Sequence, residues 1–501
     1  MENLQPSLKD NKTALKACLP SEDVLVFDFE SSDGVPCAVI YADGMVNKEL
    51  IGELVAKPLQ AIALPSGDGL QTAVAMACLF PERKELSALT DCVGEILDGN
   101  ALLLVDGMSV GYAIGAKLLP VRAVSEPPTD VAVKGPREGF IEDVKTNMVL
   151  VRKRLKSPDL RLTVTRLGKR SDTAVCLCYL DGIANEAVKK TVEDRLQKID
   201  VDVLPDSSYV AALISERKHS IFRSVGTTER PDVFAAKLAE GRIGLLVDGS
   251  PIALTLPFAQ VEDFQSNEDY YVSPFMATIF RILRFFSVLI ALLAPALYVC
   301  SQLFKIQLLP LSLTLTIAKS TKDIPLSPSM EMFLVLFVLE VLKEASIRMP
   351  KYVGMSLSVV GALVLGEAAV SAGFLSTPTI IVVAFSGICL YAVPNFVETG
   401  SILRWLFLLT AGSIGPFGLT LCVAFVLYYM LTADSFGMPL LAPFSPLIKS
   451  DLKDSLWKFD LLSLRQRPRM YGSKNRTRIA KNRTRIAEKA EKSDGESPSK
   501  P

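Results

Sequence analysis

Residues 340–375 read EVLKEASIRMPKYVGMSLSVVGALVLGEAAVSAGFL. A charged lead-in with Lys343 and Arg348 precedes an apolar run of roughly 20 residues, the length that a helix needs to cross a bilayer. One acid, Glu367, stands inside the run. A face of small residues lets helices pack closely in lipid, so the stretch predicts a membrane helix in a packed bundle. Such residues recur at helical spacing: Gly354, Ser358, Gly361, Ala368 and Ala372.

The carboxylate of Glu367 has two possible explanations. A lone charge at membrane depth is costly and normally faces a bundle interior or a wet cavity, which favours a place beside a pore or proton path. Alternatively, the helix packs in an ordinary bundle, and Glu367 reaches the membrane surface with its side chain. Both readings predict that this helix contacts other helices.

Polarity divides the chain into parts, although its 501 residues carry a formal net charge of zero. The first half alternates strand-like and helix-like patterns, which is typical of α/β domains. Its polar start lacks the apolar core of a signal peptide, so we expect this half in the cytosol. The predicted fold class is an α+β soluble region of two similar α/β subdomains, followed by an all-α multi-pass transmembrane domain and a basic disordered tail. The predicted boundaries are a flexible leader over residues 1–20, subdomain 1 over 21–134, a linker helix and subdomain 2 over 135–274, a transmembrane helical domain over 275–432, and a largely disordered cytosolic tail over 433–501.

Two phrases of the soluble half occur twice and in the same order. YADGMVNKELI at residues 41–51 is echoed by YLDGIANEAVK at 179–189, and LLLVDGM at 102–108 by GLLVDGS at 244–250. Strand–Asp–Gly turns are common in proteins, so one repeated phrase would be weak evidence for a duplication. Two echoes in one order predict two subdomains of similar design.

A helix predicted within residues 135–156 ends in a cluster of cations. Cations at a helix C-terminus are favourable, so a solvated face that complements the helix dipole is one explanation. A contact with anionic lipid or with a neighbouring subunit is the other. The cluster contains Arg152, Lys153, Arg154 and Lys156.

No motif of the chain predicts catalysis. Nine scattered cysteines without a CxxC pair and a single histidine do not form a metal-binding pattern, so we expect no metal and no cofactor. GxSxG, a P-loop and a GxGxxG following a strand are all missing. We therefore expect a protein that is not an enzyme.

The apolar part predicts several membrane crossings. Arg281 and Arg284 precede a first span over 285–299, which favours a cytosolic N-terminus. Helix 329–348 carries Glu340 and Glu344, candidate gating carboxylates on a helix that lines water or packs in a bundle. A further span is expected over 379–397, whereas the stretch 402–432 is too long for one crossing and is interrupted at 412–418.

The basic tail sets the expected parity of crossings. Residues 465–485 hold nine Lys and Arg and no acid, which places the tail in the cytosol with the N-terminal half. The number of crossings is then even, and four full spans plus a re-entrant or hairpin pair satisfy it. The repeated KNRTRIA of the tail predicts either contact with anionic membrane lipids or a solvated extension, with no specific nucleic acid as partner.

The phrase TTERPDVFAAKLAEGRIGLLVDGSPIALTLP at 227–257, followed by FQSNEDYY at 264–271, resembles the A-subunit family of spore germinant receptors, the GerA type. The resemblance extends over roughly residues 23–431 and leaves out the leader and the tail. The motif residues expected to shape the fold are Thr228, Glu229, Arg230, Pro231, Gly241, Asp248 and Gly249.

The resemblance implies a multi-pass protein of the spore inner membrane that acts with a transporter-like B subunit and a lipoprotein C subunit. It also implies a homo-oligomer, with five copies favoured, that forms a nutrient-gated ion channel for germination. On this basis Val359, Leu363 and Glu367 are candidate pore-lining residues. The alternatives are a membrane-anchored scaffold, or an amplifying channel-like sporulation protein of the family that does not sense nutrient itself.

Overall fold

The structure is a computed structural model. It describes residues 3–65, 69–118, 134–217, 220–304, 310–322, 324–348, 361 and 364–478.

Two α/β subdomains contain the same elements in the same order. Their five-stranded sheets, both antiparallel throughout, are ordered β1-β2-β4-β5-β3 and β6-β7-β9-β10-β8, which is one order used twice. The first subdomain consists of α1 (Leu8–Cys18), β1 (Val24–Glu30), β2 (Pro36–Ala42), α2 (48–60), α3 (Leu70–Ala77), β3 (Arg83–Leu86), α4 (Leu89–Leu97), β4 (Ala101–Val105) and β5 (Gly111–Ile114). The second consists of α5 (Val144–Arg154), β6 (Leu160–Leu167), β7 (Thr173–Leu180), α6 (Glu186–Gln197), α7 (Ser207–Ile214), β8 (Gly226–Thr228), α8 (Pro231–Ala239), β9 (Ile243–Val247) and β10 (Ala253–Leu256).

Helices cover both faces of each sheet. Every residue of the central strands β4 and β9 is buried, and these strands read ALLLV and IGLLV. A strand that is buried on both faces needs a continuous apolar run instead of alternation. Each sheet therefore has one apolar core on either face.

The repeated Asp–Gly phrases perform the same task in both subdomains. Asp106, which follows β4, accepts a hydrogen bond from the backbone N–H of Leu8 at 2.8 Å. Asp248, which follows β9, accepts one from the N–H of Val144 at 3.2 Å. Each carboxylate thus satisfies a free donor at the start of the helix that opens its subdomain.

The prediction of a flexible leader over residues 1–20 is wrong. The side chain of Ser7 caps α1, and Leu8 and Leu15 are 5% and 1% exposed against the first sheet. The leader was judged by its polar composition, whereas three or four apolar side chains suffice to bury one face of a short helix. α1 is the counterpart of α5, so the predicted linker helix is the first element of the second subdomain.

The basic cluster at the end of α5 pairs within the chain. Arg152 is 1% exposed, and its Nε and Nη2 donate to the two carboxylate oxygens of Asp23 at 3.0 and 2.7 Å. Because Asp23 precedes β1, this pair joins the two subdomains and does not face solvent, lipid or another subunit. The other cations pair as follows: Lys153 and Arg154 with Glu138, and Lys156 with Asp98.

The apolar part of the chain is helical. The predicted helix over 329–348 is confirmed almost to the residue. The described helices are α9 (Pro274–Leu303), α10 (Leu311–Thr321), α11 (Pro328–Arg348), α12 (Thr377–Tyr391), α13 (Val397–Ile414) and α14 (Pro416–Thr432), with a short turn of helix over Val364–Ala368 and Ala369–Ser371.

Of the described helices, α9 alone is long and apolar enough to cross a bilayer, and α12 with residues 394–414 qualifies only as a pair bent by 111°. This is fewer than the four full spans predicted. Breaks near Pro394 and at Gly415 shorten the helices, and residues 353–360, 362 and 363 of the predicted span 353–375 lie outside the described part of the chain.

The predicted interruption within 412–418 is confirmed at Gly415, whose φ is +76°. The hydroxyl of Thr399, early in α13, donates to the carbonyl of Ile221 at 2.7 Å. The ring of Tyr429, late in α14, lies 5.9 Å from that of Phe222. The two helices therefore form a hairpin, with both outer ends beside the second subdomain.

The tail is not disordered over residues 433–478, which is a second correction. It forms the small hairpin β11 (Asp434–Ser435) and β12 (Met438–Pro439) and packs on the second subdomain. The hydroxyl of Ser435 accepts from the N–H of Phe258 at 2.9 Å, and Tyr471 is 1% exposed. Residues 479–501 lie outside the described part.

Replacing Arg152 by methionine should lower the free energy of unfolding by about 3–5 kcal/mol, because it strands the buried carboxylate of Asp23. Chemical denaturation of the purified chain measures this loss. Arg166→Met is the control, since the ion pair of Arg166 with Asp172 is about two-thirds exposed and contributes at most ~1 kcal/mol. Equal losses for the two variants would contradict the assignment.

Asp106→Ala and Asp248→Ala should each lower the free energy of unfolding by about 1 kcal/mol, the usual cost of a lost helix cap. Asp200→Ala, which removes an exposed ion pair with Lys169, serves as the matched control in the same thermal unfolding series. An effect of only one of the two substitutions would mean that the two turns are not equivalent.

Candidate functional site

A fully buried arginine joins the second subdomain, the first apolar helix and the C-terminal segment. Arg281, in the second turn of α9, donates from Nε to Asp269 at 2.8 Å. Its Nη1 donates to the backbone carbonyls of Asp454 and Ser455 at 2.9 and 2.8 Å. Arg284 pairs with the same Asp269 from the next turn. We call these residues the junction cluster.

Local structure aims the carboxylate of Asp269 at α9. Asp269 lies in a single 3-10 turn over Asn267–Tyr270, and its Oδ2 accepts from the N–H of Ser266 at 3.2 Å. The Ser266 side chain caps the same turn. Tyr270 donates from its hydroxyl to Asp454 at 3.0 Å, so it contacts the C-terminal segment.

A second ionic cluster lies beneath α8. The carboxylate of Glu262 is 2.6 Å from Arg242 and 3.0 Å from Lys237, and all three side chains are largely buried. Burial opposes ionisation of Glu262, yet the charges of Arg242 and Lys237 hold its pKa at about 2 instead of 4.5. This contribution to stability is complete above pH 4.5 and is lost as the pH falls towards 2. The ring of Tyr471 covers the Arg242 guanidinium at 4.0 Å.

The TTERPD motif turns the chain from β8 into α8. Thr228, Glu229 and Arg230 are all buried, and Pro231 occupies the first helical position, where its missing N–H costs nothing. Arg230 donates to both carboxylate oxygens of Asp232 at 3.1 and 2.7 Å. The motif thus places a buried, paired guanidinium at the helix start.

Gly241 makes room for the C-terminal segment. Its φ is +100°, and a side chain there would lie 2.7 Å from Cβ of Ser473 and 3.1 Å from the carbonyl of Ile183. Gly249 has a φ of +82° and completes the turn in which Asp248 caps α5. These motif residues therefore shape the fold.

A cleft of about 2180 Å³ separates the second subdomain from the helices in the described part of the chain. Its polar wall carries Arg230, Asp232 and Arg284, so the motif and the junction cluster both face it. The opposite wall is apolar and comes from α11 and α12. The cleft therefore sits where the soluble and the apolar parts meet.

One of the candidate gating carboxylates forms a buried ion pair between helices. Glu340 of α11 accepts from Nη2 of Arg404 in α13 at 2.8 Å and also pairs with Lys343. Arg404 is 1% exposed and donates to Ser386 of α12 at 3.3 Å. Arg404 is not singled out by the sequence analysis. It lies in the stretch 402–432, for which only the length and the interruption at 412–418 are informative.

The other candidates differ in position. Glu344 is exposed and pairs with Arg348 one turn away at 2.6 Å. Glu367 is exposed on the turn Val364–Ala368. Val359 and Leu363 lie outside the described residues. Of the three candidate pore-lining residues the structure therefore describes Glu367 alone, and their common role stays a prediction. Across the described ranges, no group of three or more His, Cys, Asp or Glu could hold a metal ion.

The chain matches the family described as Bacillus/Clostridium GerA spore germination protein over residues 12–470. Spore germination protein KA of Bacillus subtilis (strain 168) is 33% identical over 481 residues, 95% of this chain and 88% of that protein. Spore germination protein GerLA of Bacillus cereus is 32% identical, with 88% and 90% covered. The uncharacterized membrane protein YfkQ of Bacillus subtilis (strain 168) is 31% identical, with 94% and 93% covered.

Among solved structures, the chain is similar to the crystal structure of the N-terminal domain of the A subunit of the Bacillus megaterium spore germinant receptor GerK3. The identity is 27% and the TM-score 0.42, and the match covers 52% of this chain and 98% of that one. The family match begins inside α1 and ends in the packed C-terminal segment, beyond the range 23–431 expected from the sequence. The chain belongs to the GerA family of spore germination proteins.

Proposed function

We propose that this chain is the membrane-embedded A subunit of a spore germinant receptor, in which the α/β subdomains control an ion-conducting helical bundle. The junction cluster is the observation that carries the proposal. It fixes the first turns of α9 to the second subdomain through Asp269 and to the C-terminal segment through Asp454. A shift of either part would therefore move the first helix of the bundle.

The bundle itself contains a polar element suited to switching. Replacing a buried ion pair by apolar residues is often neutral, so such pairs are weak evidence for stability and are better attested as devices that fix a register. The pair between Glu340 and Arg404 ties α11 to α13. Breaking this ion pair, or replacing one partner by another, would allow α11 to move relative to α13.

The channel, its stoichiometry and its partners are proposals drawn from the family. Relatives are named as germination proteins, and one solved relative is an A subunit of a germinant receptor. We propose a non-enzymatic, multi-pass protein of the spore inner membrane that forms a homo-oligomer, with five copies favoured, next to a transporter-like B subunit and a lipoprotein C subunit. Val359, Leu363 and Glu367 are proposed to line its pore.

The positions of the two ends of the helical part support a multi-pass protein with an even number of membrane crossings. The C-terminal segment packs on the second subdomain, from which α9 also departs. The helical part therefore leaves and returns on one side, which an even number of crossings requires.

Ion flux decides between the channel and the alternative of a membrane-anchored scaffold. The purified chain, reconstituted in liposomes with and without its partner subunits, should release trapped potassium. A scaffold would release none under either condition. The amplifying variant of the family would release ions without any response to nutrient, in whatever combination of subunits it is tested.

Arg281→Met should uncouple the junction, because it leaves the contacts with Asp269 and Asp454 unmade. We expect a loss of about 3–5 kcal/mol in unfolding free energy, as for other broken buried pairs, and ion flux that no longer depends on nutrient. Thermal unfolding in detergent and liposome flux measure the two effects. Arg348→Met is the matched control, because its pair with Glu344 is exposed. Nutrient-dependent flux in Arg281→Met would refute the coupling.

Leu363→Ala should widen the proposed pore. Spores that carry this variant should lose ions while dormant or germinate without nutrient, because a smaller side chain leaves a wetter constriction. Ion retention by dormant spores is the measurement. Leu313→Ala, on the exposed face of α10, is the control and should leave retention unchanged. Normal dormancy of Leu363→Ala would remove this helix from the pore.

A further inference from the structure

The loop over residues 456–462 of the C-terminal segment exposes large apolar side chains. Trp457, Phe459 and Leu462 are 58%, 48% and 53% exposed. Lys458, between the two aromatics, points inward and is buried. Its Nζ lies 3.8 Å from the ring centre of Tyr270. The loop therefore turns its one cation towards the protein and its aromatic rings outward, the reverse of the usual order in water. Its one acid, Asp460, is exposed beside Phe459.

Hydrogen bonds hold this loop against the start of α9. The hydroxyl of Thr278 accepts from the N–H of Lys458 at 3.0 Å and donates to its carbonyl at 3.4 Å. One turn further along, Arg281 donates to the carbonyl of Ser455 at 2.8 Å. The position of the loop along α9 is therefore defined by one contact inside the loop and one just before it.

This position is level with the membrane surface if α9 spans the bilayer. The uncharged run of α9 starts at Phe285, seven residues after Thr278, which is about 10 Å along a helix. Exposed apolar residues also occur towards the N-terminus of α9, beyond Thr278, as far as Phe275, which is 74% exposed. Exposed apolar side chains thus occur on α9 on both sides of the level of the loop.

We propose that residues 456–462 form an interfacial anchor that inserts Trp457 and Phe459 into the headgroup region of the bilayer. The partner is the phospholipid surface on the side of the α/β subdomains. Tryptophan is enriched at this depth, because its ring is apolar and its N–H can still bond to water or headgroups. The inference rests on the proposed placement of α9 across the membrane.

The anchor would hold the second subdomain at a fixed distance from the bilayer. The same C-terminal segment inserts Tyr471 beside Arg242 and binds Arg281 through Asp454. The proposed lipid contact, the subdomain contact and the helix contact therefore belong to one continuous stretch, residues 454–471. Binding of the loop to lipid adds to the junction cluster and does not replace it.

The two tryptophans of the chain allow a direct test. Trp405→Phe leaves Trp457 as the sole tryptophan, and the full chain is reconstituted in phosphatidylcholine vesicles that contain phosphatidylglycerol. We expect lipid brominated high on the acyl chain to quench Trp457 emission more than lipid brominated near the chain end, and aqueous iodide to quench it weakly. Strong iodide quenching without lipid quenching would overturn the anchor. Protection from both quenchers would also overturn it, because a second copy or another protein would then cover the loop.

Controls separate the anchor from the membrane placement itself. Flotation of the vesicles shows whether the chain inserts, and failure to float would reject the proposed span as well as the anchor. Insertion without lipid quenching would reject the anchor alone. A matched variant moves the sole tryptophan to the exposed position of Phe27 on the first sheet, as Phe27→Trp in a background of Trp405→Phe and Trp457→Phe. It should be quenched by iodide only. The difference in quenching between the wild type and Trp457→Phe gives the same answer if Trp405→Phe disturbs the bundle.

Discussion

The burial of Arg281 is the constraint on which the arrangement of the two halves depends. A guanidinium with no exposed surface loses several kcal/mol of hydration, and this loss must be offset by well-placed acceptors. The acceptors come from two places far apart in sequence, the 3-10 turn with Asp269 and the loop with Asp454 and Ser455. If either were displaced, the buried charge would lose part of its acceptors. The soluble part, the first helix and the C-terminal segment are therefore held in one arrangement.

Local signals allowed much of the fold to be predicted. The repeated phrases indicated two similar subdomains, and the Asp–Gly turns after β4 and β9 do cap the first helix of their own subdomains. Helix 329–348 was predicted within a residue, since its start is marked by Pro328 and its apolar run has helical length. The break at Gly415 followed from a glycine–proline pair, which cannot continue a helix without strain.

The features that could not be predicted depend on ion pairs between residues that are far apart in the sequence. Arg404 and Glu340 are separated by 64 residues, and Arg152 and Asp23 by 129. Nothing near Arg404 in the sequence indicates an acid on another helix. Arg152 in turn has the same immediate surroundings as any cation at a helix end. The predictions for the leader and the tail are wrong for a related reason. Polar composition describes the exposed side of a segment, whereas a few apolar side chains, such as Leu15 and Tyr471, bury the other side.

The order of the C-terminal segment follows from the duplication. In the first subdomain the chain continues from β5 along the turn after β2, where the carbonyl of Met45 accepts from the N–H of Leu118 at 2.8 Å. In the second subdomain the chain leaves β10 for the helical part, so this edge would stay open. The equivalent carbonyl, that of Ile183, accepts instead from Lys474 at 3.2 Å. The C-terminal segment thus occupies the place that the missing continuation would fill, and Gly241 is needed there because any side chain would meet Ser473. The helical part is therefore an insertion into the second subdomain. Because the C-terminal segment completes that subdomain, the end of α14 lies near the start of α9.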